Sequence, residues 1–146
     1  MSGLDDLAEA LRDEGGLLAD VLRPAPVGDP LPHGGRPEVE LVLEAIYEGW
    51  LLHAGTPRVL ETHDADLALL GGDRLFALGL ERLAALGDLD AVAELADVIS
   101  LCARSHAEDD PSVADLSWTE GVRAVHREPG ASGASVAAAR AYSSGR

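Results

Sequence analysis

The sequence contains no lysine, one cysteine and few aromatic residues. Its 26 acidic residues outnumber 11 arginines and give a formal net charge of −15, which would repel nucleic-acid phosphates and anionic membrane surfaces. Nucleic acid is therefore not expected as a partner. An acidic balance of this kind is typical of a solvated surface, and the alternative is a basic partner or a cation. The single Cys102 excludes an internal disulfide and continues an apolar helix face, which favours a buried thiol over a nucleophile.

Long apolar runs are also missing, since none approaches the roughly 20 residues of a membrane span. The first residues are acidic where a secretory signal would be basic, so a cytoplasmic location is expected. Aromatic residues make up only 3% of the chain, and a core of Leu, Val and Ala suits helices better than sheets. A length of 146 residues predicts one domain, and the composition predicts an all-α fold.

The strongest pattern covers residues 64–107, which read as two long helices meeting at Gly87 and Asp88. We expect an antiparallel hairpin at the centre of a five- or six-helix bundle. The first helix is apolar nearly all round, and its glycines at 72 and 79 suggest that a second backbone passes close by. These faces predict an interface with another chain, formed by Leu69, Gly72, Phe76, Gly79, Leu83, Leu86, Leu95 and Ile99.

The remaining chain divides by composition. Residues 1–23 predict short amphipathic helices, and residues 24–37, rich in Pro and Gly, predict a linker or a wrapping arm. Residues 38–127 form the predicted helical core. Residues 128–146 are small and polar, and we expect disorder there, or ordering on a partner.

Three local patterns add detail to the core. Like charges recur at four-residue steps at Glu40, Glu44 and Glu48. Their mutual repulsion predicts a solvated helix face, unless water, an arginine or a cation lies beside them. Residues 56–60 predict a short turn of helix after Gly55. The segment Ser117 to Glu120 fits a capping box and predicts the start of a helix.

Several residues could carry chemistry. His53, His63 and His106 could bind a metal together with Asp64 or Asp66, although no pair has the close spacing of a zinc motif. The alternative is that His53 and His106 are core or interface histidines. No glycine-flanked nucleophile and no phosphate-binding glycine loop is found, so we predict no catalytic residue.

The stretches EAIYEGWLLHAG, LLGGDRLFALGLERLAALGD and AVAELADVISLCARSHAE carry a family resemblance over about residues 38–108. Together they resemble the middle of an all-helical trans-polyprenyl diphosphate synthase, in which Leu70 to Asp73 would match a Gly-Asp pair that opens a helix. The resemblance implies an isoprenoid-synthase-like fold, with Mg²⁺ as cofactor only if it extends to activity. It also implies that the hairpin helices form a dimer interface, in some synthases between a catalytic chain and a small chain without the aspartates.

The family holds Mg²⁺ with carboxylates of a DDxxD motif, and this chain departs from it. At the corresponding place it has His63-Asp64-Ala65-Asp66. We therefore expect a non-catalytic helical interaction subunit without a cofactor, which pairs with itself or with a larger polyprenyl-synthase-like chain. The alternative is a small enzyme or binder that holds an isoprenoid or other apolar ligand between its helices.

Overall fold

The structure is a computed structural model that describes residues 3–32, 34–128 and 131–144. These residues form helices and loops without a strand, which confirms the all-α fold class. The helices are α1 (Gly3–Glu14), α2 (Leu17–Asp20), α3 (Pro37–Ala54), α4 (Ala65–Ala85), α5 (Leu89–Ala107), α6 (Pro111–Val125) and α7 (Ala134–Ser144). Within the described ranges, no helix has the length and apolar character that crossing a membrane requires.

The chain forms two compact units, Met1–Arg82 and Leu83–Arg146. The first unit holds α1, α2, α3 and most of α4, and the second holds α5, α6 and α7. Because the predicted hairpin has one helix in each unit, its antiparallel packing stays a prediction.

The core of the first unit is built from one face of α1, with contributions from α3, α4 and the segment before α4. The apolar residues of α1 recur every three or four positions, so they share a face that can be buried. This core contains Leu4, Leu7, Ala8, Leu11, Ala45, Val59, Leu60, Leu75 and Leu78.

The Pro-rich segment between α2 and α3 wraps around the first unit. Its backbone runs beside residues 58–60, since Arg23 N donates to Val59 O and Val27 N donates to Arg58 O, both at 2.8 Å. Residues 56–60 are not a turn of helix, so that prediction was wrong; the chain bends at Arg58 and Val59, and the carbonyl oxygens of these two residues accept hydrogen bonds from the Pro-rich segment. We call this segment the arm.

Polar side chains and a glycine mark the ends of α4 and α5. Asp64 Oδ1 accepts from the N–H groups of Asp66 and Leu67 at the start of α4, at 3.0 and 3.2 Å. Gly87 has a φ of 78°, a left-handed conformation that favours glycine. Asp88 then accepts from Ala91 N and begins α5.

The second unit begins its middle helix earlier than predicted. Helix α6 starts at Pro111, and the Asp110 side chain accepts from Ser112 N as its N-cap. Ser117 lies inside the helix, where its hydroxyl donates to Val113 O, so the predicted helix start at Ser117 was wrong.

The last described segment differs from the expected disorder, because residues 134–144 form α7. Glu94 of α5 accepts from Ala134 N and so caps this helix. Helix α7 packs against α5 and α6 through a face of small side chains, which allows a close approach. The buried residues of this face are Ala134, Ala137 and Ala138. Its residues 145 and 146, like 129 and 130, lie outside the described part of the chain.

Candidate functional site

Two glutamates and an arginine are buried together in the first unit. Glu44 and Glu48 expose 2% and 0% of their surface, and Arg58 exposes 6%. Arg58 Nη1 donates to Glu44 Oε1 at 2.9 Å, while Arg58 Nε lies 3.4 Å from Glu48 Oε1. The predicted solvated face is therefore wrong at these two glutamates. Both are buried, and both carboxylates lie close enough to the Arg58 guanidinium to pair with its charge.

The same charges hold backbone in place. Glu48 accepts from the N–H groups of residues 58, 59 and 60 at 3.0, 2.7 and 3.0 Å. Glu44 Oε2 accepts from Leu31 N at 3.2 Å, and Arg58 Nη1 donates to Asp29 O at 3.2 Å. The Arg58 guanidinium also lies 4.8 Å from the centre of the Tyr47 ring. This cluster fixes the arm and residues 58–60 onto α3, which is a structural role.

The predicted interface glycines lie against α3 of the same chain. A Cβ at Gly72 would lie 2.9 Å from the Gly49 carbonyl oxygen and 2.4 Å from His53 Nε2. A Cβ at Gly79 would lie 2.5 Å from Ile46 Cγ1. The second backbone expected beside these glycines is therefore present within the first unit.

The other predicted interface residues differ in exposure. Leu83 and Leu95 are fully buried, and Phe76 and Ile99 are partly buried. Leu69 and Leu86 are exposed, at 55% and 49% of their surface. Association between chains through the predicted set stays a prediction.

The candidate metal ligands have separate surroundings. His53 Nε2 lies 3.4 Å from Asp73 Oδ1, and its ring centre lies 5.4 Å from that of Phe76. The other four candidates, His63, Asp64, Asp66 and His106, are exposed. In the part of the chain that the structure describes, no three His, Cys, Asp or Glu side chains form a group that could hold a metal ion.

An open groove lies on the first unit between the α1–α2 corner and the first half of α4. Its volume is about 270 Å³. The lining is mainly apolar, and it consists of Glu14, Gly15, Gly16, Leu17, Leu18, Leu67, Leu70, Gly71 and Arg74.

Glycines shape both walls of this groove. Gly15 and Gly16 have φ angles of 73° and 80°, so the chain can turn sharply from α1 into α2. On the opposite wall, a Cβ at Gly71 would lie 2.9 Å from Leu18 Cδ2. The absence of a side chain at Gly71 thus lets Leu18 pack onto α4.

Two leucines of the lining are largely open to solvent. Leu17 exposes 68% of its surface and Leu70 exposes 65%. At the rim, Arg74 of α4 forms an ion pair with Glu14 of α1. The groove therefore offers unburied apolar surface beside an arginine whose charge is already paired.

This groove was not predicted from the sequence. Its signal was the glycine pair followed at once by Leu17 and Leu18, because the glycines let the chain turn and the two leucines extend the apolar surface at that turn. Leu69 and Leu70 repeat that arrangement on α4. Which of the four leucines would be exposed depends on the fold of the first unit.

Comparison with protein-family models, curated proteins and solved structures gave no match for this chain. The resemblance to polyprenyl diphosphate synthases stays a prediction from the sequence. The groove is the feature of the first unit from which a function is proposed, since the buried charge cluster has a structural role.

Proposed function

We propose that the chain is a non-catalytic helical interaction module whose groove receives apolar side chains of a partner protein. The observation that carries this proposal is the exposure of Leu17 and Leu70 on opposite walls of one apolar groove. Burying a leucine contributes roughly 1.5–3 kcal/mol. A partner that covers both side chains would gain much of that energy.

The dimensions of the groove favour side chains over a whole small molecule. Its volume of about 270 Å³ lies just below the usual range of about 300–1,000 Å³ for small-molecule pockets. It is also open along the surface, as a docking groove for a helix would be. The apolar lining supports a small apolar ligand as the second candidate.

The placement of the acidic groups argues against a catalytic reading. A diphosphate-handling site needs carboxylates at the mouth of an apolar cavity, where they can hold Mg²⁺. Here Glu44 and Glu48 are buried against Arg58, Glu14 at the groove is paired with Arg74, and among the described residues no three acidic, histidine or cysteine side chains are grouped so that they could hold a metal ion. The partner protein would be a second copy of this chain or, as the family resemblance implies, a larger polyprenyl-synthase-like chain.

The test is affinity purification from the native host with the tagged full chain as bait. Leu70→Gln removes an exposed groove side chain, and Leu69→Gln is its matched control, since Leu69 is also exposed on α4 but does not line the groove. Co-purifying chains are quantified by mass spectrometry. Surface substitutions of this kind usually change stability by less than about 0.5 kcal/mol.

We expect one co-purifying chain that Leu70→Gln depletes by about tenfold and Leu69→Gln retains. Loss with Leu69→Gln alone would favour the interface predicted from the sequence. Identical recovery with all three baits would contradict the groove as the interaction site.

A further inference from the structure

We propose that the groove binds an amphipathic helix whose apolar face is flanked by basic residues. This inference rests on the proposed function and adds the chemistry of the partner to it. It follows from the charge that surrounds an apolar surface.

The first unit is strongly acidic. Residues 1–82 contain 16 acidic residues and 6 arginines, a net charge of −10. Asp13, Asp20 and Asp66 are exposed and lie within two residues of the lining on α1, α2 and α4. On α2 and α4 these carboxylates are three or four residues from the exposed leucines, a spacing that places them on the same helix face, so acidic groups accompany the apolar surface on both walls.

The single basic residue of the lining does not change this sign. Arg74 is paired with Glu14, so the two charges cancel locally. Interfaces place opposite charges around an apolar centre, because this arrangement speeds encounter and disfavours partners of like charge. A basic flank on the partner would meet Asp13, Asp20 and Asp66.

The same charge disfavours a second copy as the occupant. Each chain carries −15, so two copies would repel one another as they approached. A helix with an apolar face and basic flanks would bury the exposed leucines and pair with the carboxylates at the same time. Binding of a helix in a groove is a common form of peptide recognition.

The probe is a fluorescently labelled peptide of about five helical turns, with leucines on one face and lysines elsewhere. Its binding to the full chain is measured by fluorescence anisotropy. Two matched peptides serve as controls. One has every lysine replaced by glutamate, and the other has the same leucines and lysines in an order that gives no apolar face.

We expect the leucine–lysine helix to bind about tenfold more tightly than either control peptide. Leu70→Gln should weaken this binding by about tenfold, whereas Leu69→Gln should leave it unchanged. Raising the salt from 0.1 to 1 M should also weaken it, because the screening length falls from about 10 to about 3 Å. The amide signals of Gly15, Gly16 and Gly71 should shift in a ¹⁵N NMR spectrum on titration.

Each failure has a separate meaning. If the glutamate peptide binds equally well and depends on Leu70, the basic partner is wrong while the interaction module stands. If binding of the lysine peptide is unaffected by Leu70→Gln, it reflects charge alone and the inference is overturned. Absence of binding by every peptide also overturns it, and the affinity purification then decides the proposed function independently.

Discussion

Replacing Glu48 by glutamine tests whether the buried charge cluster holds the first unit together. The carboxylate accepts three backbone N–H groups and lies beside Arg58 Nε. A glutamine of nearly the same shape has one acceptor oxygen and one donor group. If the oxygen keeps its bonds to Val59 and Leu60, the amide NH₂ must face the donors of Arg58.

The expected cost follows from these partners. Removing one member of a buried ion pair costs about 3–5 kcal/mol. Because Glu44 still accepts from Arg58, we expect the lower end of this range, about 3 kcal/mol. That is a large part of the 5–15 kcal/mol that stabilises a typical domain.

The assay is urea unfolding followed by tryptophan fluorescence. The two tryptophans lie in different units, so a Trp118→Phe background leaves Trp50 as a reporter of the first unit. Glu9→Gln is the control, since Glu9 is exposed on α1, and it should change the free energy of unfolding by less than about 0.5 kcal/mol. A cost below about 1 kcal/mol for Glu48→Gln would refute the structural role of the cluster.

Three further predictions follow from single sites. Gly79→Leu should overpack the contact with Ile46 and lower the free energy of unfolding by about 1–3 kcal/mol, whereas Ala77→Leu, at an exposed position of the same helix, should not. Equal melting temperatures for the two variants would contradict the close approach at Gly79. Burial raises the pKa of Cys102 from 9.0 to about 12, so an unfolded thiol ionises first and unfolding is favoured as the pH rises between these values. Unfolding measured against Cys102→Ala should show this loss, up to about 1.4 kcal/mol per pH unit, and a parallel pH dependence would contradict it. Asp88→Ala removes the N-cap of α5 and the ion pair with Arg127, and should cost at least about 1 kcal/mol by thermal unfolding; an unchanged melting temperature would show that neither contact adds stability.

Local signals predicted much of the helical layout. The boundary between α4 and α5 could be predicted from Gly87 and Asp88 alone. A left-handed glycine and a capping carboxylate both act on backbone groups within a few residues of themselves. The start of α6 was equally local, since Asp110 and Pro111 form an N-cap followed by proline at the first turn. The capping-box pattern predicted a start at Ser117, which lies inside the helix that this N-cap begins.

Long-range partners could not be predicted in the same way. Nothing near Glu44 or Glu48 in sequence indicates that Arg58 will fold over them, and the like-charge stripe alone favours solvent. The glycines of α4 did indicate a close backbone, but their spacing does not say whether that backbone belongs to α3 or to another chain. Capping of α7 by Glu94, 40 residues earlier, explains how an alanine-rich segment is ordered.

The most direct test of the interaction module is photo-cross-linking inside the native host. A benzoylphenylalanine is placed at position 70, within the groove, or at position 69 as the matched exposed control. We predict that irradiation converts the position-70 chain of 15.2 kDa into one discrete heavier product and that position 69 yields little of it. A position-70 chain that stays at its own mass, under conditions in which position 69 is cross-linked, would contradict the groove as the binding surface.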